Sequence, residues 1–101
     1  MQKIWNKYGD RFFSKIKIGT LEVIYNDKTT KIYGENKLDQ KVTLEIINSK
    51  FFYRVAMYGD IGFAESYIDK DFETSNLTKL IEMALVNAKY LGTTSENEKN
   101  N

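Results

Sequence analysis

The sequence predicts one α+β domain, in which a small antiparallel sheet of three to five strands is covered by helices. Three observations lead to this prediction: helical spacing of apolar residues near both ends, alternation of period two between them, and a length of 101 residues. That length suits one hydrophobic core. We expect residues 1–92 to form this domain, and the polar residues 93–101 to be a disordered tail or the start of a linker.

An amphipathic helix is predicted at the start of the chain. Its apolar residues recur at spacings of three, four and one, and its basic residues lie on another side. The apolar set is Ile4, Trp5, Tyr8, Phe12, Phe13 and Ile16, and the basic set is Lys3, Lys7, Arg11 and Lys15. Gly9 and Asp10 are expected to weaken the middle of this helix.

Alternation then predicts three strands. Apolar residues occupy every second position in 21–25 and again in 42–46, and a second, shorter strand is expected through Lys31, Ile32 and Tyr33. Residues 26–28 suit a hairpin turn between the first two strands. We expect all three strands to pair antiparallel.

Two short helices are predicted after the third strand. Asn48 or Ser49 is expected to cap the first, and Gly59 to end it in a left-handed conformation. Asp60 is expected to cap the second, which runs to about Ile68.

A long C-terminal helix is predicted between a Thr74–Ser75 cap and Gly92, because apolar residues repeat there at i, i+3, i+4 and i+7. They are Leu77, Leu80, Ile81, Ala84, Leu85 and Ala88. We expect this face to pack on the core.

Composition excludes several classes of function. Cysteine and histidine are absent, which removes thiolate metal sites, disulfides, a cysteine nucleophile and the commonest general base. The net charge of +1 does not suggest a nucleic-acid partner. The sequence shows no signal peptide, and no apolar segment approaches the length of ~20 residues that a membrane span needs, so a cytoplasmic location is expected. We predict no enzyme activity, metal or cofactor for these residues.

Five carboxylates between residues 60 and 73 leave open a cation or acid/base site. They are Asp60, Glu65, Asp69, Asp71 and Glu73. Their spacing does not match an EF-hand loop. We favour the alternative in which Asp60 caps a helix and the other four lie on solvated surface.

The N-terminal helix also combines aromatic and basic residues. Trp5, Phe12 and Phe13 beside lysines and an arginine are typical of a helix that lies in an anionic membrane interface. An ordinary helix packed on a sheet has the same composition, and the sequence leaves both alternatives open.

Five segments together resemble one family. They are GTLEV at 19–23, ND at 26–27, YG at 33–34, GDIGFAESYIDKDF at 59–72 and NLTKL at 76–80. The family is the N-terminal domain of cyclopropane-fatty-acyl-phospholipid synthases and related S-adenosylmethionine-dependent methyltransferases, and the resemblance covers about residues 13–91. Lys70 and Phe72 stand where that family has glycine and tryptophan, Ala64 where a second glycine is common, and Asn76 where an aspartate precedes leucine.

The resemblance implies a fold similar to sterol carrier proteins and a role in engaging phospholipid or a membrane surface. It also implies a separate catalytic domain, absent from these residues, that binds S-adenosylmethionine. The cytoplasmic protein would then lie peripherally at the inner membrane surface. Alternatives are a free-standing module that docks a separate methyltransferase, and a small lipid carrier.

Candidate contacts follow from these hypotheses. Trp5, Phe12 and Phe13 are candidates for the membrane surface. Candidates for an internal apolar site, each also compatible with plain core packing, are Phe51, Phe52, Met57, Phe63 and Tyr67. Glu65, Tyr67 and Asp69 are candidates for contact with the catalytic domain. Within the segment 59–72, Gly62 is expected to permit close packing and Phe72 to return the chain to the core.

Overall fold

A four-stranded sheet forms one layer of the molecule and helices form the other, in a computed structural model that describes residues 2–92. The elements in chain order are α1 Gln2–Phe13, β1 Thr20–Ile24, β2 Thr30–Gly34, a 3-10 turn Leu38–Gln40, β3 Val42–Ile46, α2 Lys50–Ile68, β4 Phe72–Thr74, α3 Leu77–Val86 and α4 Ala88–Leu91. The α+β class is therefore confirmed. The tail at 93–101 lies outside the described residues.

The sheet is mixed, so the prediction of a purely antiparallel sheet is wrong. Its strand order is β2-β1-β3-β4. The hairpin places Leu21 opposite Tyr33, as expected, but β1 pairs parallel with β3, with Leu21 opposite Val42. The reason is that the chain leaves β2 beside Thr20 and crosses past the start of β1 before β3 begins. The fourth strand, β4, pairs antiparallel with β3 and places Phe72 opposite Ile46.

One face of the sheet forms the core. The predicted alternation is confirmed, because the inward positions of β1 and β3 are at most 3% exposed. The sheet contributes Leu21, Val23, Tyr25, Tyr33, Val42, Leu44, Ile46 and Phe72, and the helical layer and its loops contribute Phe13, Ile16, Phe51, Phe52, Leu80, Met83 and Leu91. Burial of Phe72 confirms that the chain returns to the core there.

The long C-terminal helix is interrupted at Asn87, so that prediction is wrong in its length and in its inward face. The Asn87 side chain is fully buried and lies between α3 and α4. Its Oδ1 accepts from the backbone N–H groups of Lys17 at 2.8 Å and Ile18 at 3.0 Å, and its Nδ2 donates to the carbonyl oxygen of Met83 at 2.8 Å. These hydrogen bonds hold the Asn87 amide in the core. The side of α3 that faces the sheet therefore differs from the one that the apolar repeat predicts. Leu85, expected in the core, is 69% exposed.

The ends of the helices have the expected kinds of cap, although the cap of α3 is not at the predicted residues. Asn76 caps α3 by accepting from the N–H of Lys79 at 3.0 Å, which replaces the predicted Thr74–Ser75 cap. At the start of α2 the Asn48 side chain accepts from the N–H of Lys50 at 2.9 Å. Gly92 ends α4 in the left-handed conformation, with φ of 78°, as predicted.

The turn before β4 holds Lys70 in a left-handed conformation, with φ of 60°. Glycine adopts this conformation without the steric cost that a Cβ atom adds. Lys70 therefore carries a steric cost at this turn that glycine would not have.

Candidate functional site

The side of α1 that faces the protein holds the aromatic residues predicted for the membrane. Phe13 is buried, and Trp5 and Phe12 are partly buried against the core. The ring of Trp5 stacks on Phe52, with centroids 6.0 Å apart and an interplanar angle of 8°. These three rings serve mainly to attach α1 to the sheet and α2.

The opposite side of α1 is exposed and combines apolar with basic residues. Ile4 is 63% exposed, and the exposed Lys7 and Arg11 lie on the same side of the helix. Tyr8 is 41% exposed at the border of this side, with its ring edge to face against Trp5 and Phe52. The exposed Lys15 lies in the turn that directly follows α1. We define Ile4, Lys7, Tyr8, Arg11 and Lys15 as the α1 face. The sequence analysis placed Ile4 and Tyr8 on one apolar side with Trp5 and Phe12. Helical spacing puts Ile4 beside Lys7 and Arg11, and this is the signal that separates Ile4 from Trp5 and Phe12.

The α1 helix is attached to the sheet by polar contacts as well. The Asp10 carboxylate accepts from Lys31 Nζ at 2.9 Å and from the Tyr33 hydroxyl at 2.8 Å, and that hydroxyl lies 2.6 Å from the Tyr25 hydroxyl. The Lys31 and Tyr33 hydrogen bonds lower the pKa of Asp10. Burial raises the pKa of Tyr25 to about 12, and burial together with the hydrogen bond to Tyr25 raises the pKa of Tyr33.

Gly9 allows α1 to lie close to the core. A Cβ atom at this position would lie 2.9 Å from ring atoms of Phe52 and Tyr25, so only glycine fits without displacing them. The helix continues through Gly9 and Asp10 despite their low helix propensity. Tertiary contacts therefore outweigh the expected weakening, and the α1 face is held on a rigid support.

The second candidate region is α2, which bends sharply at Gly59. Gly59 has φ of 55° and ψ of −128°, so it ends the first arm of α2 as predicted, in a non-helical conformation. The second arm crosses the first at Gly62, where a Cβ atom would lie 1.9 Å from the carbonyl oxygen of Arg54. This distance confirms the close packing predicted for Gly62. We call the two arms the α2 hairpin.

A buried ion pair closes the α2 hairpin. Arg54 Nη2 lies 2.8 Å from Asp69 Oδ2, and Arg54 Nη1 lies 3.1 Å from Asp71 Oδ2. The Asp69 hydrogen bond and the carboxylate charges of Asp71, Asp69 and Glu65 raise the pKa of Arg54. The Asp71 side chain is 3% exposed, so the expectation of a solvated Asp71 is wrong. Asp71 is buried because it has a cation as its partner.

A cleft of about 350 Å³ opens between the arms of the α2 hairpin. We call it the hairpin cleft, and its lining residues are Lys50, Tyr53, Arg54, Tyr58, Ile61 and Glu65. The rings of Tyr53 and Tyr58 meet edge to face with centroids 6.2 Å apart. Their hydrogen bond raises the pKa of Tyr58. The cleft is therefore aromatic, with a cation and a carboxylate on its walls.

The residues predicted for an internal apolar site are divided by the structure. Phe51 and Phe52 are buried, and Phe63 packs on Phe72 with ring centroids 5.0 Å apart. Met57 is 61% exposed on the outer side of α2. Tyr67 is 48% exposed, and its ring lies 5.9 Å from that of Phe72. Phe51, Phe52 and Phe63 therefore belong to one packed aromatic cluster, since the Phe51 ring lies 5.3 Å from Phe52 and 6.5 Å from Phe63.

The three candidates for contact with a catalytic domain are also divided. Glu65 lines the hairpin cleft and Asp69 pairs with Arg54, whereas Tyr67 contacts Phe72 on another side of the arm. Of the carboxylates between 60 and 73, Asp69 and Asp71 share Arg54 as their partner. Among residues 2–92, no three or more Asp and Glu side chains are grouped as metal ligands would be.

Comparisons with known proteins give one match. A family model described as "Domain of unknown function (DUF7884)" matches residues 8–96. No curated protein and no solved structure matches the chain. In the part of the chain that the structure describes, every helix is too short or too polar to span a bilayer.

Proposed function

We propose that this chain, which belongs to the DUF7884 family, is a non-catalytic accessory domain that holds a lipid-modifying methyltransferase at an anionic membrane surface. The α1 face makes the membrane contact. Methyl transfer from S-adenosylmethionine to a phospholipid acyl chain takes place on a separate domain or chain, as in cyclopropane-fatty-acyl-phospholipid synthases. The proposal locates the protein in the cytoplasm, at the inner membrane surface.

The exposed pair Ile4 and Tyr8 among three cations is the observation that supports this proposal most strongly. A fully buried aliphatic side chain gains about 1.5–3 kcal/mol over an exposed one. Each Lys or Arg near an anionic membrane adds about 1 kcal/mol. The three cations therefore attract the domain to the anionic membrane at long range. At short range, the side chains of Ile4 and Tyr8 insert into the membrane interface.

The attachment of α1 to the sheet determines how the domain would lie on the membrane. Asp10 binds Lys31 and Tyr33, and Trp5 stacks on Phe52, so α1 can bind a surface without leaving the core. This differs from a free peptide helix, which must fold as it binds. We expect the whole domain to orient with α1 toward the lipid.

Two alternatives have less support. A lipid carrier needs space for an acyl chain among its apolar residues. The candidates Phe51, Phe52 and Phe63 instead pack ring against ring in the core, and Met57 is 61% exposed. A module that docks a methyltransferase needs one continuous surface, and Glu65 and Asp69 lie on a different side of the α2 hairpin from Tyr67.

Co-sedimentation with vesicles tests the proposal. The native chain should pellet with phosphatidylglycerol vesicles at low salt and should remain in solution with phosphatidylcholine vesicles. Replacing Lys7 and Arg11 by glutamate should weaken binding at least about 30-fold, because two membrane-facing cations are removed and two anions are added.

The matched control replaces Lys79 and Lys89, on α3 and α4, by glutamate. This variant has the same net charge and should bind nearly as well as the native chain. Equal losses in both variants would show attraction by net charge alone. No binding of the native chain to anionic vesicles would refute the membrane role.

A further inference from the structure

The hairpin cleft contains charged groups of both signs on opposite arms of α2. Lys50 lies on the first arm and Glu65 on the second. Within the described part of the chain these two residues form no ion pair with each other, whereas Arg54 is engaged by Asp69 and Asp71. One cation and one carboxylate of the cleft are therefore available to an outside partner.

Large side chains surround these two charges. Tyr53 is 47%, Tyr58 54% and Ile61 69% exposed. If a large side chain has a surface on the order of 200 Å², these three together expose on the order of 300 Å². This is less than half of the ~800 Å² that each partner buries in a standard interface, so a weak association is expected. Exposed aromatic side chains are enriched in interfaces.

We propose that the hairpin cleft is the interface of a homodimer, in which Lys50 of each copy pairs with Glu65 of the other. A two-fold interface uses the same surface twice, so it must be complementary to itself. A surface with one unpaired cation, one unpaired carboxylate and apolar side chains around them meets this requirement. The two copies form two equivalent ion pairs around an aromatic centre.

The charge pattern favours a second copy over other partners. A strongly basic or acidic partner would be attracted by one of the two charges and repelled by the other. A copy of the same chain satisfies both. The α1 face takes no part in this interface, so the dimer is independent of the proposed membrane role.

Sedimentation equilibrium of the full chain, without lipid, tests the dimer. An interface of modest area predicts a monomer–dimer equilibrium with Kd on the order of 10–100 μM. Lys50→Glu and Glu65→Lys, each alone, place like charges opposite each other at both pairs and should raise Kd at least about tenfold. Lys79→Glu, a charge change on α3, should leave Kd unchanged.

Mixing the two single variants gives the sharpest result. The Lys50→Glu copy has only carboxylates at the two positions and the Glu65→Lys copy only cations, so both ion pairs are restored in a heterodimer. The mixture should associate about as tightly as the native chain, which also excludes misfolding of either variant. A native chain that is monomeric at 500 μM, a dimer that survives both single changes, or a mixture that stays monomeric would overturn the proposal.

Discussion

Replacing Arg54 by methionine should destabilise the protein by about 3 kcal/mol. The change leaves the carboxylate of Asp71, which is 3% exposed, without its cation, and removal of one partner of a buried pair typically costs about 3–5 kcal/mol. We take the lower end because Arg54 itself is 18% exposed. The second pair adds at most about 1 kcal/mol, since Asp69 is 52% exposed. For a chain of this length the melting temperature should fall by about 12–24 °C.

Urea unfolding measures this loss, with the single tryptophan, Trp5, as the fluorescence probe. Asp69→Asn is the matched control and should cost less than about 1 kcal/mol. The double variant Arg54→Met/Asp71→Asn should lose about 2 kcal/mol less than the sum of its single changes, because the neutral amide no longer needs a cation. Two results together would refute a stabilising role of the buried ion pair in the α2 hairpin: a loss below about 1 kcal/mol for Arg54→Met, and a double variant whose loss equals the sum of the single losses.

Three further changes test other parts of the structure. The Lys31 hydrogen bond lowers the pKa of Asp10, so its stabilisation is present above the unfolded value of about 4 and is lost as the pH falls through the folded pKa. The native chain should therefore lose about 1 kcal/mol relative to Asp10→Asn between pH 6 and pH 2.5 in urea titrations, and a constant difference would contradict this. Lys70→Gly should raise stability by about 1 kcal/mol by relieving the left-handed strain, and a lower melting temperature would argue against that strain. Gly62→Ala should cost about 3 kcal/mol or more, because its Cβ would meet a backbone carbonyl at 1.9 Å, whereas Gly59→Ala, with no atom within 4 Å, should cost about 1–2 kcal/mol from its backbone angles alone. The reverse order of these two losses would be inconsistent with the crossing of the arms.

Strand positions could be predicted from the sequence because apolar residues at every second position indicate which side of a strand is buried. Val23 and Leu44 are inward as their alternation indicated. Alternation does not state which strand is the neighbour, since a parallel and an antiparallel partner bury the same side chains. The parallel pairing of β1 with β3 depends on the path of residues 35–41, which are polar and have no period.

Buried polar groups explain the error in the C-terminal helix. Leu85 fits an apolar repeat but is exposed, because Asn87 occupies the core and fixes the register of α3 through its hydrogen bonds to residues 17 and 18. Those partners lie about 70 positions away in the sequence. A contact of that range leaves no periodic signal.

The orientation of α1 also depends on contacts with residues that are distant in the sequence. The sequence predicted an amphipathic helix with aromatic and basic sides, and α1 is present at the expected residues. Hydrophobicity alone did not state whether Trp5 or Ile4 faces the core. Trp5 packs inward because Phe52 offers it a flat ring to stack on, and Ile4 is then left outside.

The orientation of the domain on lipid tests the membrane role most directly. The chain has no cysteine, so Ile4→Cys and Leu38→Cys each accept one environment-sensitive fluorophore. The native side chains are 63% and 57% exposed. Leu38 lies by the start of β1, where the N–H of Lys37 donates to Thr20. The start of α1 lies by the opposite end of β1, where Asn6 contacts Asp27 in the turn that follows the strand. With phosphatidylglycerol vesicles, the emission at position 4 should shift to the blue and be quenched by brominated lipids, while the emission at position 38 should stay unchanged. Equal responses at both positions, or a response at position 38 alone, would contradict membrane binding through the α1 face.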